Sequence, residues 1–268
     1  MEVEGKTIAI VGAGNLGTSL VNGLINSNKF LATNFNLSKR KVNSLSSFSE
    51  KGCVVTNNNR EAAKNADIVV IAVLPQKIDE VLEEIASSLN EKQLIISLVT
   101  GVKVQEIQTQ ISTNIPIVRA MPNTAIAIRE SMTCISTSPQ WKGHIPIVKT
   151  IFEHVGETVI INEDQMTSAT ALCACGIAFF LRAIRAATQG GTEIDFHASV
   201  ALKMAAQTAK GAASLLLEND SHPEDEIDKV TSPKGCTIAG LNEMEHTGFS
   251  SSFIKGITTS ADKAKGLY

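Results

Sequence analysis

The 268 residues predict an α/β fold, a doubly wound parallel sheet followed by an all-helical domain. Through residue 162, short β-branched runs alternate with helix-patterned segments, the alternation that winds a parallel sheet. Several of those runs, such as Ile68-Val69-Val70-Ile71-Ala72-Val73, are continuously apolar, as strands covered on both faces are. From Glu163 onward the strand signal stops, and over 163–188 Ala, Leu, Met and Phe recur without proline. The expected division is therefore 1–162 for the α/β domain and 163–268 for the helical one.

In order, strands are expected at 7–11, 30–37, 54–56, 68–73, 94–99, 117–120, 133–136 and 158–161. Between them, 77–89 places Ile78, Val81, Leu82 and Ile85 on one helical face. In the second half a helix over 163–188 should stop at Gly190-Gly191. A second, Ala-rich helix follows over 194–218, where small residues allow close packing. A polar turn over 219–228 contains Pro223, and helices near 236–246 and 250–265 finish the chain.

Composition excludes several classes of function. A net charge of −3 provides no field for non-specific nucleic-acid binding. Aromatics at 4% provide few stacking platforms for bases. The longest uninterrupted apolar run, 171–181, is short of the roughly 20 residues of a membrane span, so no membrane partner is expected. A strand-like run starts by Lys6 behind Glu2 and Glu4, which argues against a signal peptide. The five cysteines are scattered without a Cys-x-x-Cys. Cys173 and Cys175, two apart on a helix, point apart. Reduced, buried thiols in a cytoplasmic protein are expected. His144, His154, His197, His222 and His246 are dispersed, so no metal site is expected.

Gly12-Ala13-Gly14-Asn15-Leu16-Gly17 is a G-x-G-x-x-G motif. Glycines alone mark ordinary turns, but this run directly follows an apolar strand and opens a helical pattern. That context makes it a Rossmann-type phosphate loop. Gly12 serves the tight turn, Gly14 the approach of a pyrophosphate and Gly17 the helix–strand packing. At the end of the second strand an NAD site carries an acidic residue, whereas here Ser38-Lys39-Arg40-Lys41 stands. A hydroxyl and cations suit a 2′-phosphate, so NADP(H) is the expected coenzyme, with NAD(H) the alternative. The blander reading is a solvated basic helix start. Further on, Ser232-Pro233-Lys234-Gly235-Cys236-Thr237 makes a turn into a helix start, whose free N–H groups suit a small carboxylate. Here the bland reading is Thr237 as a simple helix cap.

With these segments the chain resembles the pyrroline-5-carboxylate reductase family over nearly its whole length. Val230-Thr-Ser-Pro-Lys-Gly-Cys-Thr-Ile-Ala-Gly-Leu241 is similar to the family's substrate loop. Ala66 to Gln76 resembles its fourth strand and turn, and Arg119-Ala-Met-Pro-Asn-Thr124 its Arg-x-Met-Pro-Asn-Thr. Gln207-Thr208-Ala-Lys-Gly211, His222-Pro223 and Glu243 to Phe249 resemble further family segments. The resemblance implies reduction of the cyclic imine 1-pyrroline-5-carboxylate to proline, in a homodimer or an oligomer of dimers whose C-terminal helices interleave. It implies cofactor contacts from Gly12, Gly14, Asn15, Leu16, Gly17, Ser38, Lys39, Arg40, Asn59, Ala72, Val73 and Pro75. For the substrate it implies Met121, Asn123, Ser232, Gly235, Cys236 and Thr237. Gly235 and Cys236 would offer N–H groups to the carboxylate, and Thr237, the catalytic candidate, would bond the ring nitrogen. The chain departs from the family pattern at Leu74, Ala125, Lys234 and over 173–177.

Two other readings stay open. One is another NADP-dependent imine or β-hydroxy-acid reductase, the latter needing a catalytic lysine such as Lys203 or Lys210. The other is a catalytically weakened NADP-binding regulator.

Overall fold

A computed structural model describes residues 3–266; Glu2, part of the charged segment ahead of the first strand, lies outside them, as do 1, 267 and 268. The chain forms two compact units, one of Met1–Cys175 with Ser260–Tyr268 and the other of Gly176–Thr259.

The first unit is an eight-stranded sheet. Its strands are β1 (Ile8–Val11), β2 (Phe35–Ser38), β3 (Val54–Thr56), β4 (Ile68–Ile71), β5 (Leu94–Ser97), β6 (Ile117–Met121), β7 (Ser131–Thr137) and β8 (Gly156–Ile160). Its helices are α1 (Asn15–Asn26), α2 (Ser46–Glu50), α3 (Asn59–Lys64), α4 (Ile78–Ala86), α5 (Val104–Ile111), α6 (Ile145–Glu153) and α7 (Met166–Ala169), the last running into a π-helix at Thr170–Cys175. Strand order is β3-β2-β1-β4-β5-β6-β7-β8. Strands β1 to β6 are parallel to their neighbours, β6 and β7 antiparallel, and β7 and β8 parallel again. The order reverses at β1, and clefts open beyond the strand ends at such a point.

The all-apolar strands are explained by the two faces they serve. Ile8, Ile10, Ile68 and Val70 pack into one core with α1 and α6. Ala9, Val11, Val69 and Ile71 pack into a second with α4 and α5. Strand β2 is shorter than expected, because residues 32–34 form a 3-10 turn and only Phe35–Ser38 pairs with β1.

The second unit holds α8 (Gly176–Glu193), α9 (Ala198–Asn219), α10 (Pro223–Lys229), α11 (Cys236–His246) and most of α12 (Phe249–Ala264). Three expectations are corrected here. Gly190-Gly191 does not end its helix, which runs on to Glu193. A Cβ on Gly191 would lie 3.0 Å from the Ala201 Cβ, so this glycine serves close packing of α8 on α9. The second long helix starts at Ala198 and not at 194, since Asp195 has φ +77°, a left-handed value that helices exclude. The expected polar turn contains α10, with Pro223 at its first position and Glu224, Asp225 and Glu226 in its first turn. Proline costs nothing there, and acids suit the positive end of the helix dipole.

The units also divide later than residue 162. The segment from Glu163 to Cys175 packs with the sheet, with Met166 and Ala171 buried. Glu163 accepts the Val104 N–H at 2.8 Å and pairs with buried Arg119 at 3.2 Å. By length and composition the helical run Glu163–Glu193 meets the requirement of a membrane span. The uninterrupted apolar stretch within it, 171–181, is shorter, bounded by Thr170 and Arg182. Large apolar side chains of the helical unit are exposed, among them Phe180, Leu181, Leu202 and Leu217.

Candidate functional site

The glycine loop is built around one carbonyl. The Gly12 and Ala13 N–H groups both donate to the Ser38 oxygen, at 3.2 and 2.8 Å. This ties the end of β1 to the end of β2. Gly12 has φ +89°, and a Cβ there would overlap Val73 Cγ1 and stand 3.0 Å from the Ala72 oxygen. On Gly17 a Cβ would meet Ile10 Cγ2 at 2.8 Å, so α1 lies hard against the strand. Gly14 is different: its nearest neighbour would be the Gly12 oxygen at 3.9 Å, which leaves its outer side open to a ligand. Gly14 caps α1 with no side-chain bond, and α1 has no acid in its first turn. The N–H groups of Asn15, Leu16 and Gly17 therefore point outward with the positive end of the dipole.

Beside this loop lies a cleft of about 630 Å³ lined by Gly12, Gly14, Ser38, Lys39, Arg40, Asn59, Ala72 and Val73 among others. These are eight of the twelve expected cofactor residues. Gly17 is buried in helix packing, Asn15 and Leu16 at the start of α1 are outside the lining, and so is Pro75, which opens a 3-10 turn. Ser38 requires a correction of role. Its side chain is fully buried, and its hydroxyl donates to Asn59 Oδ1 at 2.7 Å. Asn59 Nδ2 in turn donates to Glu84 Oε2 at 2.7 Å. Ser38 thus holds Asn59 in place, and the cations left to meet a phosphate are Lys39, Arg40 and Lys41. The Lys77 ammonium, hydrogen-bonded to Glu80, holds that carboxyl below its ordinary range, with Arg40 adding a smaller effect.

Glu84, Glu80, Lys77 and Leu74 also line the cleft, and sequence reasoning missed them. Glu80 and Glu84 stand four apart on the polar face of α4, a pattern indistinguishable in sequence from any solvated helix. The glycine cradle, the open helix start and the cation row together fit a dinucleotide with an extra phosphate on its ribose.

In the helical unit, Gly235 and not Thr237 is the N-cap of α11, so the simple capping reading of Thr237 is set aside. Thr237 is half-buried, and its hydroxyl has no hydrogen-bond partner among the described residues. The Gly235 N–H is already taken by the Ser232 oxygen at 2.9 Å, which corrects its expected role as a carboxylate donor. The donors left are the N–H groups of Cys236, Thr237 and Ile238. A Cβ on Gly235 would sit 2.5 Å from Ser232 Oγ, so only glycine fits this turn. Lys234 has φ +60°, the left-handed region that glycine prefers. Ser232 is exposed at the turn. Lys203 and Lys210 are both exposed on α9.

Met121 and Asn123 occupy different surroundings from those expected. Met121 is buried against Cys134, Met166 and Ala169, in the core instead of on a ligand-facing surface. Asn123 accepts the Ala125 N–H at 2.9 Å and donates to the Cys173 oxygen at 3.3 Å, which fastens the π-helix to the end of β6. All five cysteines are free, but Cys236 is exposed and Cys173 and Cys175 only half-buried, against the expectation of burial. His197 and His222 cap α9 and α10 through Nδ1.

Comparison with known proteins places this architecture. Residues 163–267 match the family described as pyrroline-5-carboxylate reductase dimerisation. Residues 7–101 match one described as NADP oxidoreductase coenzyme F420-dependent. The chain is 48% identical over 280 residues to pyrroline-5-carboxylate reductase 1 of Dictyostelium discoideum, covering 100% of this chain and 51% of that relative. It thus spans about half the length of that relative. It is 46% identical over 275 residues to pyrroline-5-carboxylate reductase 2 of the same organism, covering 97% of this chain and 92% of the relative. Its fold is similar to that of the NADP-bound pyrroline carboxylate reductase of Plasmodium falciparum, with a TM-score of 0.90, 24% identity and 98% of each chain covered. Since nearly half its residues are shared with a relative that it spans almost end to end, the chain belongs to the pyrroline-5-carboxylate reductase family.

Proposed function

We propose that this chain reduces 1-pyrroline-5-carboxylate to proline with NADPH. The observation that carries the reading is the cleft, where a glycine loop and a helix start meet Lys39 and Arg40 with no acid at the ribose-reading position. When bound, the nicotinamide supplies the hydride, and the protein supplies position and electrostatics. The N–H groups of Asn15, Leu16 and Gly17 hold the pyrophosphate, and Lys39 and Arg40 hold the 2′-phosphate. Asn59, fixed by Ser38 and Glu84, presents its amide without reorganising.

For the substrate, the free N–H groups of Cys236, Thr237 and Ile238 bind the carboxylate at the start of α11. A cyclic imine accepts hydride readily only when its nitrogen is protonated or hydrogen-bonded. The Thr237 hydroxyl, with no partner among the described residues, orients that nitrogen or relays a proton to it from water. Exposed Lys203 and Lys210 give the β-hydroxy-acid reading no support.

We further infer a homodimer in the cytoplasm. Supporting the dimer are the match to a dimerisation family and the exposure of Phe180 (59%), Leu181 (59%) and Leu217 (80%), more apolar surface than a monomer leaves open. Oxidation of NADPH followed in the presence of 1-pyrroline-5-carboxylate tests the activity, and turnover with proline formed is expected. No turnover with that imine, alongside oxidation of a β-hydroxy acid, would overturn the proposal. Light scattering showing an active monomer would overturn the dimer.

A further inference from the structure

We propose that Cys134 and Cys173 form a hydroperoxide-sensitive thiol pair that closes into an intrachain disulfide between β7 and the π-helix. Both lie in the α/β unit. Their sulfurs are 3.8 Å apart and share a hydrogen bond. The remaining distance to a disulfide of about 2.05 Å is within reach of small rotations about two Cα–Cβ bonds.

The surroundings suit a sequence of attack and resolution. Cys134 is buried on β7, opposite Met121. Cys173 is half-buried on the π-helix, the more exposed of the two. The hydrogen bond with Cys134 holds the Cys173 pKa down to about 7, against the opposing effect of burial. Cys134, its partner in that bond, moves the other way. The π-helix also gives the segment room to adjust, because its wider turns are packed and bonded less well than α-helical ones. The Cys173 carbonyl accepts the 3.3 Å bond from Asn123, just past the end of β6. The thiol arises where the chain departs from its family, in Cys173-Ala174-Cys175.

The chemistry balances with one peroxide. The Cys173 thiolate attacks a peroxide oxygen: an S–O bond forms, the O–O bond breaks, and the departing hydroxide leaves as water with the proton that Cys173 gave up on ionising. The Cys134 sulfur then attacks the sulfenic sulfur. The S–S bond forms, the S–OH bond breaks, and the hydroxide leaves with the Cys134 proton as a second water. Two thiols lose two electrons, and the peroxide gains them.

The test treats the full chain with hydrogen peroxide, then alkylates it after denaturation and maps its peptides by mass spectrometry. The expected product joins the peptides carrying Cys134 and Cys173, two hydrogens lighter than the separate reduced peptides, and dithiothreitol reverses it. Cys175→Ser should close the same bond. Cys134→Ala should stop at the sulfenic acid, which dimedone traps on Cys173. Cys173→Ser should leave Cys134 alkylatable, and this variant decides the matter if Cys134→Ala fails to fold. Full alkylation of Cys173 after peroxide, or a bond from Cys173 to Cys175, to Cys236 or to a second copy, would overturn the proposal. So would oxidation of Cys134 in Cys173→Ser. The readout is the bond itself, so it succeeds or fails apart from the reductase assay.

Discussion

The coenzyme preference offers the sharpest test, because the structure divides the ribose-reading segment into two jobs. The perturbation is Lys39→Ala with Arg40→Ala. Both cations stand at the cleft, whereas Ser38 is buried and committed to Asn59. A charge-assisted contact to phosphate contributes about 1.5–3 kcal/mol when sheltered, and solvent exposure cuts this to about 1 kcal/mol for each cation. Losing both costs about 2 kcal/mol, or roughly a 30-fold rise in KM for NADPH. NADH has no 2′-phosphate, so its KM should move less than about two-fold. Ser38→Ala is the internal control. It frees the Asn59 amide, removes about 1 kcal/mol from the binding of either coenzyme, and leaves their ratio unchanged. Steady-state kinetics with both coenzymes, repeated at rising salt, gives the answer. Screening should weaken NADPH binding and spare NADH. Equal losses on both coenzymes in the double variant, or a changed ratio in Ser38→Ala alone, would refute the division of labour.

Three further outcomes follow from the same geometry. Thr237→Ala should lower kcat/KM by about 5- to 150-fold, the equivalent of 1–3 kcal/mol, while Thr237→Ser keeps most activity. Because Gly235 caps α11, the thermal midpoint should hold in both variants, and a fall without a catalytic loss would contradict the assignment. Lys234→Gly should stabilise the protein by about 0.5–1 kcal/mol, the left-handed cost of about 1–2 kcal/mol less the entropy of glycine; a lowered melting temperature at matched protein concentration would count against it. Glu163→Ala should cost about 3 kcal/mol in denaturant unfolding, since it strands buried Arg119. Arg119→Met combined with Glu163→Gln should recover most of that, and equal damage from the single and double changes would be the contrary result.

Much of this was legible in the sequence because period and composition act locally. The unbroken apolar run at β4 announced a strand buried on both faces, and the glycine motif announced the loop that Ser38 holds. Helix α11 begins and ends where its turn residues place it. What stayed hidden depends on partners distant in the chain. Gly191 looks like a stop signal until Ala201 is packed against it. Ser38 looks like a phosphate ligand until Asn59 takes its hydroxyl. The π-helix has no sequence signature, and the nearness of Cys173 to Cys134 is set by the sheet.

The return of the last turn of α12 to the sheet makes the nucleotide-binding unit discontinuous in sequence. Topologically the helices of Gly176–Thr259 are an insertion, and not a module joined at one seam. A truncation after residue 162 would therefore strip Met166 and Ala171 from a core that they help to fill. It would also remove Glu163 from Arg119. Exchanging coenzyme-binding halves between relatives calls for two crossovers, one after Cys175 and one before Ser260. Recombination with a single breakpoint near the middle of the gene would tend to yield chains that fail to fold.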